Sequence, residues 1–181
     1  SVFRNHTCLK MNDQKGIVSI RAIEPSDIDF LFAIENDISL WKYSNRSSPY
    51  SRNLLLDYIA NSGRDIFETK QVKFTIVGKN NSPVGFIDLF DFEPLHHRAG
   101  VGLVIATEER SKGYGAAALA SVEFYAKKQL QLHQLFADIA VENKPSIELF
   151  EKQNYVLMGT KKDWNFYEGK FHDEFNYQKL I

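Results

Sequence analysis

The stretch RSKGYGAAAL, Arg110 to Leu119, sets Arg110, Ser111 and Lys112 beside Gly113, Tyr114, Gly115 and Ala116 at the entrance to an alanine-rich run. A helix starting there leaves N–H groups without intrahelical partners at the positive end of its dipole, which suits an anion. Glycines two apart let the backbone come close to that anion. A phosphate or pyrophosphate cradle is one reading, and a tight turn into an ordinary helix is the other. A second chemical candidate is Asp88 in GFIDLFDFE, followed by Asp91, Glu93, His96 and His97. Strand alternation gives Asp88 the same face as Phe86 and Phe90, with Asp91 and Glu93 on the opposite face. A carboxyl between phenylalanines is desolvated and its pKa rises, which suits a proton acceptor. A solvent-facing or bulged Asp would have no such property. Asp91 and Glu93 read first as a solvated strand end. The two histidines could relay protons, but they lack the clustered ligands of a metal site and equally suit a surface turn.

The elements that must position these residues follow from periodicity. IVSIRAI (17–23) alternates like a half-buried strand. Ser26 is placed to cap a helix with Ile28, Leu31, Phe32 and Ile34 on its apolar face, and Ser51 opens a second helix running to about residue 67. VKFTIVGKNNSPVGFIDLFDFE reads as a hairpin around KNNSP. AGVGLVIA (99–106) is apolar on both faces, as a central strand is. The glycine-bearing stretch follows it and leads into a helix to about Lys128. HQLFADIAV is a strand, NKPSIELFEKQN a short helix, and the chain closes as two strands around YEGK. This order predicts an α/β (α+β) domain over 17–181 with a mixed sheet of about seven strands, preceded by a flexible extension over 1–16.

The chain has 181 residues, a formal net charge of -1 and 44% hydrophobic residues, enough for one domain with a real core. Near-neutral charge argues against a nucleic-acid binder. The single cysteine, Cys8, excludes an intrachain disulfide framework and a cysteine-built zinc site. No apolar run is long enough to span a bilayer, and the first residues lack the apolar core of a secretory signal. The expectation is a cytoplasmic protein without membrane or nucleic-acid partners.

Two motifs in sequence together resemble the GCN5-related N-acetyltransferases (GNAT). Arg110, Gly113 and Gly115 match that family's pyrophosphate motif, Gln or Arg, two residues, Gly, one residue, then Gly or Ala. About thirty residues on, NKPSIELFEKQNY is similar to the family's N-x-x-S-x-x-L-Y-E-K-x-G-F. Asn143, Ser146, Leu149, Glu151 and Lys152 agree with it, whereas Phe150, Asn154 and Tyr155 stand where the motif has Tyr, Gly and Phe. The resemblance runs from about Ile17 to the C-terminus and implies a GNAT fold with a splayed central strand pair. It also implies acetyl-CoA as cosubstrate, with no metal. By resemblance, Leu103, Val104 and Ile105 offer a backbone edge to the pantetheine arm, and an amide at Val104 meets charge developing on the thioester oxygen. The same resemblance assigns the loop from Arg110 to Ala116, together with Ser146 and Phe150, to the cofactor. Asn143 resembles the family residue that bonds the pantetheine arm, and it is equally suited to cap the helix it precedes. Gly100 and Gly102 fit close approach or plain packing between large neighbours.

Where many family members use the motif Tyr to protonate the leaving thiolate, this chain has Phe150, which cannot do so. Another group or water takes that role, or the thiolate leaves unprotonated. The base is open, with Asp88 the candidate. The overall pattern is similar to bacterial spermidine/spermine N-acetyltransferases and to ribosomal-protein N-terminal acetylases. IDLFDFEPLHHRA puts Asp88 and Asp91 on acidic positions of the polyamine enzymes, and Trp41 and Tyr43 could line an acceptor pocket. Lys42 and Arg46 in WKYSNRSSPY would repel a polycation. The acceptor expected is therefore a small amine, a polyamine or a peptide N-terminus, and a homo-oligomer fits as well. A non-catalytic acetyl-CoA sensor is the reading from another class.

Overall fold

A computed structural model describes residues 16–181; the expected extension, with Cys8, lies outside the described residues except for Gly16. The chain runs β1 (Ser19–Ala22), a 3-10 turn (Pro25–Asp27), then α1 (Ile28–Glu35), α2 (Ile38–Trp41), α3 (Arg52–Asn61) and α4 (Ile66–Thr69). It continues through β2 (Val72–Val77), β3 (Pro83–Glu93), β4 (Arg98–Ile105), α5 (Tyr114–Lys128) and β5 (Gln134–Ala140). It closes with α6 (Lys144–Lys152), β6 (Val156–Tyr167) and β7 (Lys170–Leu180). The seven strands form one mixed sheet in the order β1-β2-β3-β4-β5-β7-β6, so β4 is central, as its two apolar faces predict.

Each face of the sheet carries its own core. On one, Ile87, Leu89 and Val101 pack with Leu119 and Val122 of α5 and Phe150 of α6. On the other, Phe86 and Val104 pack with Leu31, Leu55 and Ile59 of α1 and α3. β3 feeds both by alternation, and Asp88 therefore emerges on the α1–α3 side. β2 behaves in the same way: Phe74 and Ile76 enter the α5 core, which turns Lys73 and Thr75 toward α1 and α3.

Two local expectations are corrected. Ser26 caps nothing, since it lies inside the 3-10 turn. The anchoring residue there is its neighbour Asp27, 2% exposed, which accepts both Arg21 guanidinium nitrogens at 2.8 Å, Thr75 Oγ1 at 2.9 Å and the Glu24 N–H at 2.9 Å. The second helix is also broken. Ser51 caps α3 through the Leu54 N–H as predicted, but α3 ends at Asn61, and Asp65 caps the separate α4 through Phe67.

Strict alternation also fails along β3. Phe90 pairs with Gly100 and Glu93 with Arg98, so the ladder carries a bulge, and Asp91 sits in it at φ 47°. Phe92 consequently joins the α5 core with Ile87 and Leu89. Beyond the bulge, alternation brings Glu93 round to the Asp88 face rather than the opposite one.

Candidate active site

β4 and β5 are parallel but pair only over Arg98–Gly100 and Gln134–Phe136. β4 runs on to Ile105 and β5 to Ala140, so the two strands part and leave facing backbone edges unpaired with one another. An extended ligand can enter such a split by adding its own amide groups to the ladder. Leu103, Val104 and Ile105 lie on this diverging stretch, half-buried. Leu103 and Ile105 lean on the α5 core and Val104 on the α1–α3 core.

At the end of β4 the chain turns through Arg110, whose Nε donates to the Ile105 carbonyl at 3.2 Å. Ser111 and Gly113 both take left-handed backbone, at φ 62° and 81°. Gly113 is the N-cap of α5 and no side chain caps that helix, which leaves its first N–H groups to an anion. Lys112 is held by Glu109 at 2.8 Å, so its charge is partly answered already. Ala116 is half-buried in the first turn of α5. The fold itself also calls for both glycines. Gly113 supplies the left-handed φ. A Cβ on Gly115 would stand 3.0 Å from Leu149 Cδ2 and 3.6 Å from Leu103 Cδ1, so Gly115 lets α5 approach α6 and β4. The Tyr114 ring lies against Gly78, beside the β2–β3 turn.

Asn143 caps α6, its Oδ1 accepting the Ser146 N–H at 3.4 Å. Phe150 is 2% exposed and packs edge-on against Tyr155, with ring centroids 4.8 Å apart. It is a core side chain with almost no surface to offer the cofactor to which the resemblance assigns it. Asn154, in the place of the motif's glycine, takes φ 65° just past α6, a conformation that Asn tolerates.

Asp88 lies half-buried at the edge of a cavity of about 240 Å³ lined with Leu31, Glu35, Tyr50, Leu55, Tyr58 and Lys73, among others. Burial pushes its carboxyl above the usual range, Lys73 pulls it back, and Glu35 adds to the rise. Directly opposite on β4 is Gly102, where a Cβ would come 3.6 Å from Asp88 Oδ1. The missing side chain leaves the carboxylate uncovered toward β4. Val104 is its diagonal neighbour, about 7 Å away by strand geometry. Gly100 has a plainer purpose, because the Phe90 ring fills its Cβ space.

Lys73, Glu35 and Tyr58 are cavity residues that the sequence did not single out. Lys73 faces Asp88 across the β2–β3 ladder, and its Nζ is 3.8 Å from Glu35 Oε1. Burial disfavours its charge, but Asp88, Tyr58, Glu35 and Tyr50 more than offset this, and its pKa is raised. Burial also raises the Tyr58 hydroxyl. The signal available was a lysine between apolar residues in VKFTIV, at an inward-facing alternation position. Arg46 needs a correction too. It pairs with Glu35 Oε2 at 2.6 Å and stacks on Tyr50, so it is an internally answered charge and not a free repulsive one. Trp41 donates Nε1 to the Glu35 carbonyl at 3.1 Å and helps hold this corner. Tyr43, 38% exposed, is within electrostatic range of Tyr167 on the C-terminal hairpin. Asp91 is exposed at its bulge. His97 contacts the Gln131 carbonyl through Nδ1 at 2.9 Å, a loop-to-loop contact outside the cavity.

Comparison with known proteins bears directly on this geometry. The acetyltransferase (GNAT) domain family matches residues 18–156. Spermidine N(1)-acetyltransferase of Vibrio cholerae is 24% identical over 163 residues, covering 90% of this chain and 91% of that protein. The Bacillus subtilis protein YdaF, whose name assigns it provisionally to ribosomal N-acetylation, is 27% identical over 182 residues, covering 96% of this chain and 94% of its own. The crystal structure of the Vibrio cholerae enzyme in complex with CoA and spermine superposes with a TM-score of 0.82 at 22% identity, over 90% of this chain and 95% of that one. At that identity the likeness establishes the fold.

Proposed function

The chain belongs to the GNAT acetyltransferase family, and on that premise we propose that it transfers an acetyl group from acetyl-CoA directly to a primary amine in a ternary complex, with a di- or polyamine as acceptor. It is an acyltransferase and acetyl-CoA is its cosubstrate. The observation that carries the proposal is one strand serving two sites. β4 offers its free edge and the α5 loop to a pantetheine–pyrophosphate chain, and at Gly102 it leaves the Asp88 carboxylate of neighbouring β3 open.

The residues present fit the cosubstrate. Ser111 to Ala116 hold the pyrophosphate by backbone N–H groups, Arg110 and Lys112 add charge, and Leu103 to Ile105 pair with the amide arm. Asn143 adds a carboxamide where the strands part. The acetyl thioester supplies an activated acyl group. The Val104 N–H is turned into the β3 ladder opposite Phe86, so a backbone N–H of Leu103 or Ile105, on the open edge, meets the charge that develops on the thioester oxygen. An alkylammonium has a pKa of about 10.4, so the site must take one proton before nitrogen can attack. Asp88, with its raised pKa, receives that proton. The nitrogen–carbon bond forms as the carbon–sulfur bond breaks. The thiolate leaves and takes a proton from water, since Phe150 has none to give.

Spermidine acetylation by the Vibrio cholerae relative supports the polyamine acceptor. A peptide N-terminus is the second reading, favoured by the YdaF relationship and by Lys73 and Arg46, which answer the cavity's carboxylates from within. We also propose that copies of the chain associate. A structure of the Vibrio cholerae enzyme is dodecameric, and here the outer strand β6 exposes Val156, Met158, Trp164 and Phe166.

Thiol release from acetyl-CoA, measured with spermidine, butylamine and peptides with free N-termini, tests the function. Release that depends on spermidine supports the proposal, and release only with peptides moves it to the second reading. No release with any acceptor, alongside intact CoA binding, replaces the enzyme with a sensor.

A further inference from the structure

Three charged groups line the cavity, Glu35, Lys73 and Asp88, and with Arg46 behind Glu35 they form a chain. Arg46 contacts Glu35 Oε2 at 2.6 Å, Glu35 Oε1 is 3.8 Å from Lys73 Nζ, and Lys73 stands opposite Asp88 in the β2–β3 register. Two cations thus alternate with two carboxylates along α1, β2 and β3. The Lys73 side chain is only 19% exposed and Arg46 only 11%, so neither charge is discharged into bulk water. The Lys73 ammonium also lies 5.7 Å from the Phe86 ring centroid, on the same face. The remaining titratable groups around Lys73 are Tyr58 on α3 and Tyr50 just before it.

A site that must attract a polycation gains from unanswered negative charge, because Coulomb attraction at these distances is strong in a half-buried setting. This cavity has none to spare. Lys73 projects from the strand beside Asp88, so its ammonium occupies space that a second nitrogen of a polyamine would need. Arg46 closes the far side of Glu35 in the same way. The cavity is small, about 240 Å³, which suits one aminoalkyl end.

We propose that Lys73 is the specificity-determining residue of the acceptor site, an internal ammonium beside Glu35 and opposite Asp88 that excludes a second acceptor charge and draws the Asp88 carboxyl toward its charged form. A polyamine then enters by one end with its other nitrogens outside the cavity, and a singly charged amine is accepted almost as well. This inference rests on the cavity being the acceptor site.

The test compares Lys73→Gln, Lys73→Met and Lys73→Arg with the unaltered chain, using spermidine and butylamine. Readouts are KM and kcat for thiol release, the pH profile of kcat/KM, and calorimetric affinity for CoA and for each amine. With Gln or Met, the spermidine KM should fall about tenfold, worth about 1.4 kcal/mol, and the butylamine KM should change much less. The acid limb of the profile should move to higher pH, because Asp88 loses the cation that holds its proton affinity down. Lys73→Arg should restore both properties, and CoA affinity should be the same throughout.

An unchanged spermidine-to-butylamine ratio with an unmoved acid limb overturns the proposal. So does a fall in activity toward both amines that Lys73→Arg also shows, since that marks a packing role. Should a variant be too unstable for kinetics, amine calorimetry on the other neutral variant decides, and equal spermidine affinity with and without the Lys73 charge overturns it. Failure of the unaltered chain to acetylate any amine is a separate result that removes the acetyl-transfer reading itself.

Discussion

Asp88 and Asp27 are both carboxylates withdrawn from water, and their neighbours send them in opposite directions. Burial raises Asp88, and the cation opposite it, Lys73, does not undo it. Burial acts on Asp27 in the same sense, but hydrogen bonds from Arg21, the Glu24 N–H and Thr75 overcome it, and its pKa is lowered. The first state suits proton uptake and the second suits anchoring. Asp88→Asn should reduce turnover strongly, leave CoA affinity near its original value and abolish the acid limb of kcat/KM, readable from thiol release across pH. Asp27→Asn should destabilise the fold by about 3 kcal/mol at neutral pH, because a guanidinium loses its buried partner. A depressed carboxylate stabilises above the unfolded pKa of about 3.9 and loses that contribution as pH falls through the folded value. The gap between variant and parent in denaturant midpoints should therefore close in acid, as the pH falls below the unfolded value and through the lowered folded one.

At the scale of elements, the cofactor cleft depends on how closely α5, α6 and β4 meet. Gly115 is a point of close approach, facing Leu149 of α6 and Leu103 of β4. Gly115→Val should weaken CoA binding by pushing these elements apart, so that the melting temperature falls together with the affinity. Adding Leu149→Ala should recover part of both, because the clash is with that side chain's flexible end. Recovery would not follow if valine acted by filling the pyrophosphate's space. Gly113→Ala is different in kind. Its φ of 81° strains any other residue, so a cost of about 1 kcal/mol is expected with no rescue from Leu149→Ala. Both pairs can be read by thermal melting with and without CoA.

At the scale of the molecule, β6 is an edge strand, paired among the described residues only to β7, and long enough to be a hazard for edge-to-edge association. Its bulged region at Asp163, φ 50°, and the charged neighbours Lys161 and Lys162 blunt one part of that edge. Met158, Trp164 and Phe166 remain exposed. If copies associate there, Met158→Lys combined with Phe166→Lys should shift sedimentation from oligomer toward monomer with little change in the far-ultraviolet circular dichroism. Among the described residues no helix is long and apolar enough to cross a membrane.

Local chemistry determined much of this protein. Period-2 and period-3.6 patterns fixed the order of strands and main helices, because each element must turn its apolar residues to a core. The spacing of Arg110, Gly113 and Gly115, and of Asn143 with Ser146, was legible because loop and cap geometry depend on near neighbours. Asp88 was legible as a desolvated acid from the phenylalanines beside it. What surrounds that acid was not, because Glu35, Lys73 and Tyr58 come from α1, β2 and α3 and meet it only when the sheet is covered. The Asp91 bulge, which reverses the faces of Phe92 and Glu93, was hidden for a similar reason: a ladder's register depends on its partner strand. The burial of Phe150 against Tyr155 and the answering of Arg46 by Glu35 were decided in the same way. A sequence names its charges, and only the tertiary structure says which of them are already paired.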